Sequence, residues 1–211
     1  MTSTRLTHLR TILTDYFNEG ELHDLCFDLG INYDALPGSG TGNKARELVA
    51  FCERHNRLDE IERHCRAVRP HAPWPARVFI SYKRNIEPDA PLARRLFDAL
   101  TEDGHTVFID QTMAVGTEWA REIERKIDAC DALIVLLSAT AARSEMVLKE
   151  VEHAHRRMQA TGNARLLPVR VAYDAALPYP LSSYLDPLQY AVWQTDADTE
   201  PLIAQLLTAI K

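Results

Sequence analysis

Three prolines fall within the eight residues Arg69-Pro70-His71-Ala72-Pro73-Trp74-Pro75-Ala76, and apolar residues are spaced differently on either side. Proline withholds a backbone donor and pushes its predecessor toward extended conformations, so no helix runs through this stretch. Before it the apolar spacing is three and four residues. After it, short apolar runs alternate with longer amphipathic segments. The 211 residues therefore divide into a helical part, 1–69, a proline-rich linker, 70–76, and an α/β part, 77–211. The first and last of these are each large enough for one small domain.

In the first part Leu6, Leu9, Ile12, Leu13, Tyr16 and Phe17 mark one helix face. Leu22, Leu25, Cys26 and Leu29 mark a second, which stops at Gly30, a natural C-terminal cap. Ala45, Leu48, Val49 and Cys52 form a third stripe, and Leu58, Ile61, Cys65 and Val68 a fourth. Four short helices bury one small core and leave little for a cleft. The loop Pro37-Gly38-Ser39-Gly40-Thr41-Gly42-Asn43-Lys44 has the wrong glycine spacing for a phosphate loop, and a helix precedes it where a strand is required. It reads as a flexible helix–helix connection.

In the second part the apolar runs are 78–80, 107–109, 132–137, 166–171 and 190–193, about one strand-plus-helix unit apart. Helical stripes lie between them, through Leu92, Leu96, Phe97 and Leu100; Trp119, Ile123 and Ile127; and Val147, Val151, Ala154 and Met158. A last stripe carries Leu202, Ile203, Leu206, Leu207 and Ile210. Strands alternating with helices predict a flavodoxin-like, five-stranded parallel sheet covered on both faces. Ligands in such sheets sit beyond the C-terminal strand ends. That rule points at residues 81–84, 110–118 and 138–144.

The net charge of -6 is shared by both parts, so there is no basic field to gather nucleic acid or anionic lipid. The longest apolar run, Ala132–Leu137, is far too short to span a bilayer. The opening residues Met1–Arg5 lead into an amphipathic segment and lack the apolar core of a secretory signal. Four cysteines, Cys26, Cys52, Cys65 and Cys130, occupy apolar helical phases without a Cys-x-x-Cys pair. They read as buried thiols in a reducing compartment. A cytoplasmic protein is expected, with neither nucleic-acid nor membrane partners.

The run Leu25-Cys26-Phe27-Asp28-Leu29-Gly30-Ile31-Asn32-Tyr33, with Leu36-Pro37-Gly38 and Lys44-Ala45-Arg46-Glu47-Leu48-Val49, resembles the bacterial effector-associated domains, which are death-like helical adaptors. That resemblance implies a partner carrying a matching module, and no chemistry. Beyond the linker, Val78-Phe79-Ile80-Ser81-Tyr82, Val107 to Asp110 with Gly116 to Trp119, Asp131 to Ser138, and Ser144 to Glu150 resemble four motifs of TIR domains in the same order. In the TIR enzymes that hydrolyse NAD the last motif carries a catalytic glutamate, and Glu150 stands at that position. The resemblance implies release of nicotinamide from NAD⁺, giving ADP-ribose or a cyclic ADP-ribose. It implies self-association of TIR domains, with the loop containing Met113, Ala114, Val115 and Gly116 completing a neighbour's site. It implies an effector in bacterial defence signalling, with no cofactor apart from NAD⁺ as substrate.

Glycosidic cleavage passes through an oxocarbenium-like centre, which a nearby anion stabilises. Spacing puts Glu150 at the edge of its helix's apolar stripe, where it can face a cleft and contribute little to packing. A solvated, salt-bridged glutamate fits that spacing as well. Several active relatives have tryptophan where this chain has Met146, whose sulfur offers a weaker ring contact. Ser81, Tyr82, Lys83 and Arg84 leave the first strand where a phosphate or ribose could lie, or are ordinary surface groups. Asp110 orients or caps its loop, Trp119 packs in the core or stacks on substrate, and Ser144 frames the pocket or caps its helix. No metal constellation is present: His153 and His155 point apart on a helix, and Gly-x-Ser-x-Gly is absent. Two functions are open, an NAD⁺ glycohydrolase and a scaffold that joins a sensor to a separate effector.

Overall fold

The apolar run Ala132–Leu137 forms β3, and all six of its residues are buried, as a strand covered by helices on both faces must be. The computed structural model describes residues 2–109, 119–162 and 165–210. Contacts divide the chain into two units, Met1–Pro75 and Ala76–Lys211.

The first unit contains α1 (Thr2–Tyr16), α2 (Glu19–Asp28), α3 (Thr41–Arg54) and α4 (Leu58–Val68). They enclose Leu9, Ile12, Leu13, Leu22, Leu25, Cys26, Leu48, Cys52, Ile61 and Cys65. Asn18 begins α2 with a reciprocal cap: its side chain accepts from Glu21 N, and the Glu21 carboxylate accepts from Asn18 N. The helix ends at Gly30, whose φ of 65° lets Ile31 N reach Cys26 O at 2.7 Å and Gly30 N reach Phe27 O at 2.9 Å. The glycine-rich segment is shorter than the sequence reading, because α3 already begins at Thr41. Nor is it a loose connection. Lys44 is buried, and its ammonium donates to the Tyr33 and Leu36 carbonyls at 3.0 and 2.7 Å. That lysine is consumed inside the fold.

The second unit alternates β1 (Arg77–Ser81), α5 (Asp89–Glu102), β2 (Thr106–Phe108), α6 (Trp119–Ala129), β3, α7 (Glu145–Thr161), β4 (Arg165–Val171), α8 (Leu181–Leu185), β5 (Ala191–Trp193) and α9 (Thr199–Ile210). The five strands are parallel in the order β2-β1-β3-β4-β5. Successive strand residues face opposite layers. Val78, Ile80, Ile134 and Leu136 pack with α5 and α9, whereas Phe79, Leu133, Val135 and Leu137 pack with α6 and α7. β1 lies between β2 and β3, so chain direction switches sides there and a crevice opens beyond the C-terminal ends of β1 and β3.

All four cysteines are buried, and burial pushes Cys26, Cys52 and Cys130 up to about 11 and Cys65 to about 12. They stay neutral thiols at physiological pH. Among the described residues, no helix is long and apolar enough to cross a membrane.

Candidate active site

Helix α7 starts at the β3 end of the crevice and buries Val147, Glu150, Val151 and Ala154. Glu150 is thus on the inward face, 4% exposed, which corrects the expectation of a marginal side chain that adds little to packing. Ser81, the last residue of β1, donates its hydroxyl to Glu150 Oε2 at 2.5 Å. This bond places the Glu150 carboxyl group at the end of β1.

A cleft of about 770 Å³ runs along α6 and α7. Lys83, Ile123, Ile127, Ser144, Met146 and Glu150 line it, with Arg143, Lys149 and Arg156 adding positive charge and Glu124, Glu145 and Glu152 negative. The structure therefore brings four of the expected residues together: Lys83, Ser144, Met146 and Glu150. Met146 also packs against the α6–α7 core. Ser144 occupies the N-cap position of α7, yet its side chain makes no capping bond there.

Other expectations fall elsewhere. Ser81 is 1% exposed and committed to Glu150, so it orients the carboxylate and does not reach toward a ligand. Tyr82 follows it in sequence and consequently faces the opposite layer, packed in the α5–α9 core. Arg84 is exposed and contributes nothing to the cleft lining. Asp110 and the loop residues Met113, Ala114, Val115 and Gly116 lie outside the described residues. Trp119 opens α6, and its side chain is likewise outside them. Among the described residues, no group of histidine, cysteine and carboxylate side chains is arranged to hold a metal.

Sequence reasoning missed Asp89. It opens α5 and is completely buried, with Oδ2 accepting from the Ser138 hydroxyl at 2.8 Å. Ser138 in turn accepts from Ala141 N at 3.1 Å. Burial pushes the Asp89 carboxyl above its usual range, opposed by the Ser138 bond and the Lys83 backbone N–H. Asp89 thereby ties the loop after β1 to the end of β3. An aspartate in a helix's first turn reads as ordinary dipole compensation, so nothing in the sequence marked it as buried.

No curated protein matches the chain significantly. Among solved structures, a metazoan TIR-STING receptor from C. gigas, in complex with 2′,3′-cGAMP, is 23% identical with a TM-score of 0.47. The match covers 65% of this chain and 40% of that receptor chain. The TIR domain of a Toll-related receptor from Hydra magnipapillata is 20% identical with a TM-score of 0.42, over 64% of this chain and 98% of that one. The family model described as effector-associated domain 7 matches residues 9–70. The model described as TIR domain matches residues 78–207, more than half of the sequence, and the chain belongs to the TIR domain family, with an effector-associated domain before it.

Proposed function

We propose that this chain is an NAD⁺ glycohydrolase whose TIR unit releases nicotinamide, and whose N-terminal unit sets when it does so by assembling copies or recruiting a partner with a matching module. The observation that carries this reading is the placement of Glu150, a carboxylate bonded to Ser81 at the end of β1 and lining the cleft along α6 and α7. In the reaction the C1′–N1 bond breaks and its electron pair passes to the nicotinamide ring, which leaves neutral. Positive charge develops on the ribose. A carboxylate beside that centre stabilises the transition state more than the ground state. Water then adds to C1′ and loses a proton, giving ADP-ribose, or a nitrogen of the adenine closes a ring. Lys83 and Arg143 at the rim supply cations for the pyrophosphate, and Met146 an apolar contact for a ring. The physiological setting under this reading is a cytoplasmic effector of bacterial defence signalling.

The test is NAD⁺ loss and product identity by chromatography on concentrated parent protein and on Glu150→Gln, which keeps size and hydrogen bonding. Removing such a stabilising group is expected to lower turnover by roughly a hundredfold or more. Parent-like turnover by Glu150→Gln removes Glu150 from the chemistry.

Two observations favour a scaffold without turnover: Glu150 is only 4% exposed, and Met146 stands where related hydrolases carry tryptophan. That reading expects no nicotinamide from a sample shown to be assembled.

A further inference from the structure

Residues His23, Asp24, Phe27 and Asp28 lie three and four apart on α2 and share its outward face. Phe27 is 80% exposed. A single exposed ring is unremarkable on its own, but its surroundings are one-sided. Asp24 and Asp28 flank it, and α2 contains no lysine or arginine. Asp28 already pairs with His64, at 3.2 Å, whereas Asp24 has no ion-pair partner among the described residues.

A second feature of the same unit has the opposite character. Between α1 and α3 runs a groove of about 450 Å³, lined by Arg10, Thr14, Asp15, Gly42, Asn43 and Arg46. It takes no residue from α2, and its two guanidinium groups outweigh the one carboxylate. Arg46, itself exposed, pairs with its half-buried neighbour Glu47 at 3.0 Å, a surface contact of modest strength. Guanidinium groups bind carboxylates through a two-pronged fork and also stack on aromatic faces. Asp24 and Phe27 offer one group of each kind within a single helical turn.

We propose that the N-terminal unit binds a second copy of this chain head to tail, the α2 ridge of one copy entering the α1–α3 groove of the next. Each copy uses a different surface on its two sides, so the contact propagates into a ring or filament and does not close as a two-fold pair. The inference rests on the reading of this unit as the assembly module, and names the surfaces that assemble.

The test uses two full-length variants, Asp24→Lys/Phe27→Ala and Arg10→Glu/Arg46→Glu. All four positions are exposed, and circular dichroism checks that the helices persist; Asp24→Asn and Arg46→Gln replace the variants if they do not. Sedimentation velocity over a concentration series is expected to show parent assemblies that grow with concentration. Each variant alone should associate roughly tenfold or more weakly. Mixing the two should give a heterodimer that grows no further, because each retains one intact surface. A parent that assembles while either variant matches it, or while the mixture stays monomeric, overturns these surfaces and leaves the assembly reading standing. A parent that is monomeric at every concentration overturns both.

Discussion

Ser81 and Glu150 are 69 residues apart in sequence and share one short hydrogen bond. Ser81→Ala takes one hydrogen bond from a buried carboxyl group, and a bond to a charged group is worth about 1.5–3 kcal/mol. Under the NAD⁺ reading, Ser81→Ala is expected to lower kcat by roughly tenfold or more with KM near the parent value, since the loss concerns the transition state and not substrate contact. Ser81→Thr, which restores the hydroxyl, should recover part of the rate. Steady-state kinetics on the three proteins decide it, and an unchanged kcat in Ser81→Ala would exclude the orienting role. Asp89 supports a prediction about pH. Its folded-state carboxyl is held above the ordinary value of 3.8, chiefly by burial, so the folded protein binds that proton more tightly than the unfolded chain does. The resulting stability is fully present below the unfolded pKa and is lost as pH rises through the folded one. Asp89→Asn carries no charge at any pH and keeps an acceptor for Ser138. Its Tm should therefore gain on the parent's as pH rises above the ordinary carboxyl value of 3.8; a difference that does not change with pH would contradict this account.

Among the elements, α2 has the most completely specified ends, a reciprocal cap at Asn18 and Glu21 and a left-handed stop at Gly30. A Cβ at Gly30 would meet nothing within 4 Å, so Gly30→Ala carries backbone strain without a clash. A loss of about 1 kcal/mol in urea unfolding is expected, and full parental stability would show that the positive φ is not what ends the helix. The sequence reading located each strand and the long helices because an apolar run or stripe is a local signal. It also placed the stop at Gly30 correctly. Helix α8, Leu181–Leu185, went unread, because five residues are too few to display a helical period. The start of α3 was placed too late: glycines at 38, 40 and 42 suggest a loop, yet the third lies inside the helix. Pro168 sits within β4 without breaking it, beside β3 and just before the β5 pairing begins at Val169, the edge of a ladder where a missing donor costs least.

For the molecule as a whole, local pattern was enough to determine the helical character of the first part and the parallel α/β sheet of the second, whereas the proline-rich stretch, read as a linker, has Ala72 and Trp74 packed on the first unit's core. Hydrophobic period depends on neighbours in sequence, and burying such stripes leaves few architectures open. It also directed attention to the strand ends, whereas Glu150 was singled out by the resemblance to TIR domains. What tertiary structure alone decided is which side chains meet there. Strand alternation sends Ser81 to the α6–α7 layer and Tyr82 to the α5–α9 layer, although both had been read as one ligand-facing group. Strand order brings Asp89 to Ser138 across 49 residues, and Ser81 to Glu150 across 69. Those pairings depend on the register of β1 against β3 and on the rotation of α7 about its axis. No window of sequence holds that information, because it exists only once the sheet has closed and the helices have settled on its faces.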